Sequence, residues 1–310
     1  MHIDGHPLTR LRRYEDPEAG IFEEFAVERL GADRALALLA GPLEERRTTA
    51  WVICPAIGPA HGNLRRLEAL VARTLAAAGF VSLRIRPDAD PVQREIDLSK
   101  RLAEIEAGIE LARAETGVEN VGLAGALFGG TLAALTADRL GLPALALVQP
   151  ASRGRQFARG LLRREAVAQL MGADEEAAAA EGPMHELSTS GIVSIRGLTL
   201  TQEAFDAIST VKLVEDMRAF RGRSLLVDVS PGGVVSTSVA KLAERLAELG
   251  GETTMETIAD PLYAPLGEYY YRDAGLLRID TRLELDQKVA HKVSAWALQG
   301  AEAPSATPVA

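Results

Sequence analysis

The sequence has few of the residues that metal clusters, disulfide scaffolds and histidine-based catalysis require. Its 310 residues contain one cysteine, Cys54, and five histidines, none of which lies between residues 186 and 290. A single cysteine excludes an intramolecular disulfide and a cysteine-rich metal cluster. No spacing of His, Cys, Asp and Glu matches a zinc motif, so we expect neither a metal nor another cofactor.

Long apolar runs and an excess of positive charge are also absent. No stretch of about 18 apolar residues predicts a membrane span, and the N-terminus lacks the basic and apolar regions of a signal peptide. With 34 Lys and Arg against 43 Asp and Glu, the formal net charge is -9. This balance disfavours nucleic acid and an anionic membrane as partners. We therefore expect a soluble, cytoplasmic protein.

A regular alternation of predicted strands and helices is the main positive feature of the sequence. A hairpin at 21–39 is followed by apolar runs that predict strands, separated by helices with apolar residues at helical spacing. The predicted strands are 48–54, 80–85, 121–124, 144–148, 224–229 and 253–258. This alternation predicts a mostly parallel central sheet with helices on both faces and functional loops at the carboxyl ends of its strands.

The same alternation divides the chain into parts. Residues 1–20 predict an irregular lead-in, and residues 21–150 together with 223–299 predict the α/β core. The alternation breaks between residues 151 and 222, which we expect to form a lid-like insertion over the sheet, with no expectation that it moves. Residues 300–310 predict a disordered tail.

The stretch from Val121 to Thr131 has the most informative spacing. A short apolar run ends in Gly-x-x-x-Gly-Gly and passes directly into a predicted helix. A strand that turns through a glycine-bracketed corner into a helix is the layout of a nucleophile elbow, in which Gly-x-Ser-x-Gly presents a serine above the sheet. Here Leu127 occupies the serine position.

The order of elements, this corner and the insertion resemble the α/β-hydrolase superfamily over residues 20–299. Within it, the chain looks most similar to the serine-aminopeptidase-like and exosortase A system-associated hydrolases of bacteria. The stretches that carry this resemblance are Cys54 to Arg66, Gln149 to Phe157 and Ile192 to Leu200. The resemblance implies an α/β-hydrolase fold with a lid-like insertion.

The resemblance also implies a catalytic triad, and the sequence departs from it. In such hydrolases a histidine oriented by an acid activates the serine, in the chain order serine, acid, histidine. The serine position falls on Leu127, and the acid position falls near Asp228 and Ser230. The histidine belongs in the loop after Ile258, which includes Asp260 and contains no histidine. With a degenerate triad, the resemblance implies no ordinary serine-hydrolase turnover.

Two backbone amides could still bind an anion or a carbonyl oxygen. The resemblance places one in the loop from Gly58 to Asn63, which includes His61, and the other at Phe128. The alternative is that the first loop only begins a helix capped by Asn63. The residues leave both alternatives open.

Carboxylates and hydroxyls also gather at the predicted carboxyl edge. Four aspartates follow strand ends, namely Asp88, Asp90, Asp228 and Asp260. Two close carboxylates would raise the pKa of one of them or bind a metal, but we favour separate turn and cap residues. The hydroxyls of Thr131 and Ser230 would need His61 as a base, and we favour local hydrogen bonds for both.

The sequence therefore favours a non-catalytic protein of the α/β-hydrolase fold. Leu127 and Phe128 would give the former active-site cleft an apolar floor that suits a small apolar ligand or a protein partner. The enzyme alternative is a hydrolase of esterase type, or an acyl-transfer enzyme, that acts through the displaced groups His61, Ser230 and Asp228. A structural subunit is a third alternative, and a homodimer is left open.

Overall fold

The computed structural model describes residues 2–3, 6–7, 9–30, 33–58, 60–86, 95–172, 182–260 and 279–301. The strands are β1 (His2–Ile3), β2 (His6–Pro7), β3 (Thr9–Asp16), β4 (Ile21–Leu30), β5 (Asp33–Pro42), β6 (Thr49–Cys54), β7 (Val81–Arg86), β8 (Asn120–Ala126), β9 (Ala144–Val148), β10 (Ile192–Ile195), β11 (Leu198–Thr201), β12 (Arg223–Ser230) and β13 (Glu252–Ala259). The helices are α1 (Ala60–Ala77), α2 (Leu98–Thr116), α3 (Leu127–Leu140), α4 (Gly154–Gly172), α5 (Pro183–Ser190), α6 (Gln202–Thr210), α7 (Leu213–Asp216), α8 (Thr237–Glu248) and α9 (Ile279–Gln299).

Nine of the described strands form one sheet. Their order is β13, β12, β9, β8, β6, β7, β5, β4 and β3. The strands from β13 to β7 run parallel to one another, while β5, β4 and β3 extend the sheet by antiparallel pairing. The central strand β6 is buried from Ala50 to Cys54, as expected for a parallel strand covered on both faces. The predicted mostly parallel sheet is confirmed.

Strand β3 differs from the predicted irregular lead-in at 1–20. Residues Thr9 to Asp16 pair with β4 in antiparallel register. The strand lies at the edge of the sheet, and its side chains from Leu11 to Glu15 are exposed. An edge strand without a buried face needs no apolar alternation, which explains why the pattern of apolar residues did not reveal it.

Helices cover both faces of the sheet and enclose an apolar core on each side. Helices α1 and α9 pack together on one face, and α2, α3 and α8 pack on the other. On the first face, Arg66 Nε donates to the fully buried Asp286 Oδ2 at 2.9 Å, which joins α1 to α9. This ion pair and the packing of the two helices fix α9 to α1.

The segment from β9 to β12 lies outside the nine-stranded sheet. It comprises α4 to α7 and the β10–β11 hairpin, whose apolar residues join the core beneath α2 and α3. At its end, Asp138 Oδ1 accepts three consecutive amides, from Arg218 at 2.9 Å and from Ala219 and Phe220 at 2.7 Å each. This cluster joins the end of the insertion to α3.

Three further expectations concern the cap of α1, a membrane span and the C-terminal tail. Helix α1 begins at Ala60, so Asn63 lies inside the helix and does not cap it. Within the described residues, no helix is both long enough and apolar enough to cross a membrane. The predicted tail at 300–310 lies outside the described residues from residue 302 onward.

Candidate functional site

The corner between β8 and α3 has the geometry that the glycine spacing predicts. Strand β8 ends at Ala126 in extended conformation, with φ of -117° and ψ of 150°. The next residue, Leu127, begins α3 with φ of 50°. A left-handed backbone costs a non-glycine residue about 1–2 kcal/mol because Cβ approaches the carbonyl oxygen. The surrounding structure must therefore impose this turn.

Three glycines allow the elements around Leu127 to approach closely. A Cβ on Gly125 would lie 2.6 Å from the carbonyl oxygen of Gly129, and a Cβ on Gly129 would lie 2.7 Å from that of Cys54. A Cβ on Gly130 would lie 2.9 Å from the carbonyl oxygen of Gly125. Because these neighbours are backbone atoms, they cannot move aside cheaply. Only glycine lets α3 begin against both β8 and the end of β6.

The side chains of Leu127 and Phe128 have different surroundings. Leu127 is half-buried and packs against the core cluster beneath α1 and α9. Phe128 is fully buried on the other side and stacks on Phe157 of α4, with ring centroids 4.5 Å apart. The position that presents a nucleophile in a Gly-x-Ser-x-Gly corner therefore carries an aliphatic side chain.

The amide of Phe128, predicted to be an oxyanion donor, lies in the first turn of α3. The first amides of a helix have no acceptor within the helix, and the cap residue Ala126 makes no side-chain hydrogen bond to them. These amides and the positive end of the helix dipole together favour an electronegative group.

The loop after β6 lies beside this corner. Gly58 has a left-handed backbone with φ of 74°, and a Cβ there would lie 3.4 Å from Leu161 of α4. His61 lies in the first turn of α1, and its side chain is outside the described residues. The loop predicted to supply an oxyanion amide is therefore held between the sheet and α4.

Gln149 is a feature of this edge that sequence reasoning missed. It has φ of 45°, its amide donates to the carbonyl of Val227 at 2.9 Å, and its Nε2 donates to the carbonyl of Val229 at 2.7 Å. These bonds fix the end of β9 to β12. The Gln-Pro pair at positions 149 and 150 was the only signal, because a residue before proline avoids the α-helical region.

The hydroxyl of Thr131 bonds both within its own helix and to the loop after β9. Thr131 Oγ1 lies 2.8 Å from the carbonyl oxygen of Ala151 and 3.3 Å from that of Leu127. It is fully buried, so its hydroxyl joins the corner to the loop after β9. The bond to Leu127 lies within its own helix turn, as we expected, whereas the shorter bond to Ala151 spans 20 residues.

The predicted acid position contains Asp228 and Ser230, both engaged within one turn. The buried Asp228 accepts the amide of Ser236 on Oδ2 at 2.6 Å. Ser230 Oγ accepts the amide of Val234 at 2.8 Å and donates to the carbonyl of the same residue at 2.9 Å. Asp228 thus anchors the residue that caps α8, and Ser230 closes the turn before it.

Asp260 follows β13 beside this turn, and its amide donates to the carbonyl of Ser230 at 2.9 Å. The structure therefore brings the ends of β12 and β13 together.

Asp88 and Asp90 lie outside the described residues. In the part of the chain that is described, no group of three His, Cys, Asp or Glu side chains could hold a metal ion.

Cys54 ends β6 below the corner and is buried. Burial raises the pKa of its thiol well above the ordinary value of 9.0, and the charge of Glu68 raises it further. Thiolate chemistry needs the opposite shift. Cys54 is therefore a packing residue of the core.

Comparison with solved structures finds this architecture in esterases. Est1E from Butyrivibrio proteoclasticus matches with a TM-score of 0.56 and 17% identity, over 88% of this chain and 98% of that protein. The esterase domain from a Rhodothermus marinus protein matches with a TM-score of 0.55 and 17% identity, over 90% of this chain and 98% of that domain. A structure of arylesterase matches with a TM-score of 0.53 and 13% identity, over 88% of this chain and 84% of its own.

Comparisons with protein-family models and with the sequences of curated proteins give no match. At the identities of the structural matches, the likeness establishes the fold. The chain has the α/β-hydrolase fold, as the sequence predicts.

Proposed function

We propose that the chain is a non-catalytic protein of the α/β-hydrolase fold that binds a small, partly apolar ligand at the corner between β8 and α3. The observation that carries this proposal is the left-handed backbone of Leu127. The corner keeps the strained shape that displays a nucleophile, while its side chain has no atom that can attack a carbonyl carbon. Retention of the shape without the reactive atom favours binding over turnover.

The groups that could serve as acid and base support the same proposal. No histidine occurs between residues 186 and 290, a stretch that includes the loop after β13. Asp228 and Ser230 make hydrogen bonds within their own turn. A serine needs an adjacent base to become a nucleophile, and the single O–H donor of Ser230 is bonded to the carbonyl of Val234.

The chemistry of the corner indicates which ligands would fit. Leu127 offers a half-buried aliphatic surface, and the first amides of α3 receive no side-chain cap from Ala126. Such amides bind a carbonyl oxygen or a carboxylate. A ligand with a carbonyl group joined to an apolar body matches both features, and a protein partner would have to present the same combination.

A pair of substitutions at Leu127 tests the proposal. Leu127→Asp places a carboxylate at the site, and Leu127→Met is the matched apolar control. The wild type should hydrolyse p-nitrophenyl butyrate no faster than Leu127→Asp does. In calorimetric titrations, 1-phenyl-1-butanone, which has no ester bond to cleave, should bind the wild type and Leu127→Met about equally. Leu127→Asp should bind it about tenfold more weakly, because the new charge must be desolvated.

Two results would overturn the proposal in different ways. Turnover by the wild type that is lost in Leu127→Asp would establish a hydrolase that uses displaced groups. Equal affinity of all three proteins for the ketone, or no binding by any of them, would remove the ligand site at the corner.

A further inference from the structure

Helix α4 presents different surfaces on its two sides. Phe157 stacks on Phe128 and Leu161 lies beside Gly58, so one side faces the corner. Arg159 and Arg163 are exposed. Residues two positions apart on a helix are separated by about 200°, which places these arginines on the side of α4 that faces away from the corner.

An open groove lies along this outer side, between α4 and α5. It has a volume of about 580 Å³ and is lined by apolar side chains that include Leu162, Pro183 and Met184, with Arg159, Arg163 and His185 beside them. Small-molecule sites have volumes of roughly 300–1,000 Å³ and combine a mostly apolar lining with a few polar groups. The groove has this composition.

The charges along the groove favour an anion. Arg155, Arg159 and Arg163 recur every four residues on the exposed side of α4. Like charges at this spacing repel one another and destabilise a helix. Within the described residues, none of the three forms an ion pair with a carboxylate. An anion bound between Arg159 and Arg163 would relieve their mutual repulsion.

Met184 adds an apolar contact at the same place. Met184 is 45% exposed, although methionine is usually buried in proteins. Leu162, by contrast, is buried at the base of the groove. An apolar body of a ligand would lie against Leu162 and Pro183 and would cover Met184.

We propose that the groove between α4 and α5 is a second binding site, which takes an amphiphilic organic anion with its carboxylate or phosphate on Arg159 and Arg163 and its apolar body against Leu162, Pro183 and Met184. A planar guanidinium group binds either anion through two parallel hydrogen bonds. The site is separate from the corner at Leu127 and does not depend on the function proposed for that corner.

Calorimetric titrations with four probes test this site. Octanoate and octyl phosphate carry the two head groups, 1-octanol has the same apolar body without charge, and acetate has the charge without the body. Both anionic amphiphiles should bind, and the tighter of the two identifies the preferred head group. 1-Octanol and acetate should each bind at least about tenfold more weakly, because each lacks one of the two contributions.

Variants locate the binding. The double substitution Arg159→Gln and Arg163→Gln should weaken octanoate binding by about tenfold or more, since hydrogen bonds between charged groups are the strong ones. Arg155→Gln removes one positive charge from the same exposed side, one turn away from the groove, and should change the affinity less than about twofold. Met184→Ser should weaken binding of octanoate and leave the weak binding of acetate unchanged. Thermal unfolding of each variant confirms that it is folded.

Three results would overturn the proposal. Binding of 1-octanol as tight as that of octanoate would reduce the groove to a non-specific apolar surface. An equal loss in Arg155→Gln and in the double variant would indicate general charge attraction. Loss of octanoate binding in Leu127→Asp, with no effect of the double variant, would place the ligand at the corner instead.

Discussion

Leu127 and Gln149 adopt left-handed backbone conformations at neighbouring strand ends, with φ of 50° and 45°. The residues before them, Ala126 and Val148, are register partners in β8 and β9. The carbonyl of Leu127 accepts the amide of Ala151 at 3.3 Å, so the two turns are hydrogen-bonded to each other. Strained non-glycine backbone persists where the surrounding structure imposes it, and it is concentrated at functional sites. This pair supports placing the ligand site at this edge.

The backbone strain at Leu127 predicts how the corner responds to side-chain shape. Leu127→Ile keeps the volume but adds a branch at Cβ, which the left-handed region tolerates poorly. Leu127→Met is unbranched and of similar size. In urea unfolding, Leu127→Ile should lower the free energy of unfolding by about 1–2 kcal/mol more than Leu127→Met does. Equal stability of the two variants would show that the corner relaxes when its side chain changes.

The close approach of α3 to β6 predicts a large penalty at Gly129. In Gly129→Ala the new Cβ would meet the carbonyl oxygen of Cys54 at 2.7 Å and the amide of Ala56 at 2.9 Å. Both are backbone atoms, so we expect a loss of about 3 kcal/mol or more in the free energy of unfolding. Gly232→Ala, where the only close atom is a methyl group of Val234 at 3.8 Å, is the control and should cost little.

A change of less than about 1 kcal/mol in Gly129→Ala would contradict the account of the corner. It would mean that α3 can shift away from β6 without loss. Chemical denaturation of both glycine variants under identical conditions decides between these results.

The cluster at Asp138 predicts how firmly the insertion is joined to the core. Asp138→Ala would leave the amides of Arg218, Ala219 and Phe220 without their shared acceptor. We expect a loss of about 2 kcal/mol in the free energy of unfolding, with Asp138→Asn recovering about half, since it keeps one acceptor oxygen without the charge.

The control for Asp138 is Asp206→Ala. Asp206 accepts only an exposed hydrogen bond from Gln202 at 3.0 Å, so its loss should change stability by less than about 0.5 kcal/mol. Hydrogen exchange at the amides of 218–220 should accelerate in Asp138→Ala and stay slow in the control. Unchanged exchange in both variants would show that the cluster does not hold the insertion.

The buried thiol predicts a loss of stability in alkaline solution. The pKa of Cys54 lies above its ordinary value of 9.0 in the folded protein, chiefly because of burial. Above pH 9 the unfolded chain therefore releases a proton that the folded chain retains, and the free energy of unfolding falls as pH rises. Between about pH 8 and about pH 10, the wild type should lose about 1.4 kcal/mol more than Cys54→Ala does.

Urea unfolding of both proteins at the two pH values measures this difference, because other titrating groups cancel in the comparison. The native thiol should also resist a thiol reagent that labels it at once in urea. Parallel loss of stability in the two proteins, or fast labelling of the native thiol, would contradict burial of Cys54.

The sheet and the corner could be predicted because their physical requirements are local. Strands buried on both faces read as continuous apolar runs, and β6, β8 and β9 have this pattern. The corner needs glycine wherever backbone meets backbone, so Gly125 and Gly129 indicated its shape. Thr201 acts just as locally, because its hydroxyl caps α6 by accepting the amide of Ala204 at 3.1 Å.

Other features depend on contacts that no local pattern records. Strand β3 is an exposed strand at the edge of the sheet. Its backbone hydrogen bonds to β4 hold it in place, because it has no buried face. The conformation of Gln149 depends on its hydrogen bond to Val229, which lies 80 residues further along the chain. The charge on the outer side of α4 was visible in the sequence, but the groove beside it also needs α5, whose position depends on tertiary packing.

The central claim is that the corner at Leu127 lacks an activated nucleophile. Covalent labelling with a fluorophosphonate tests this claim most directly. Intact mass of the native protein is measured after incubation under conditions that label a serine esterase completely. The account predicts the unmodified mass for the wild type, because Leu127 has no nucleophilic atom and the hydroxyl of Ser230 is engaged within its turn. A complete adduct that maps to a serine at this edge, and that forms only on the folded protein, would contradict it.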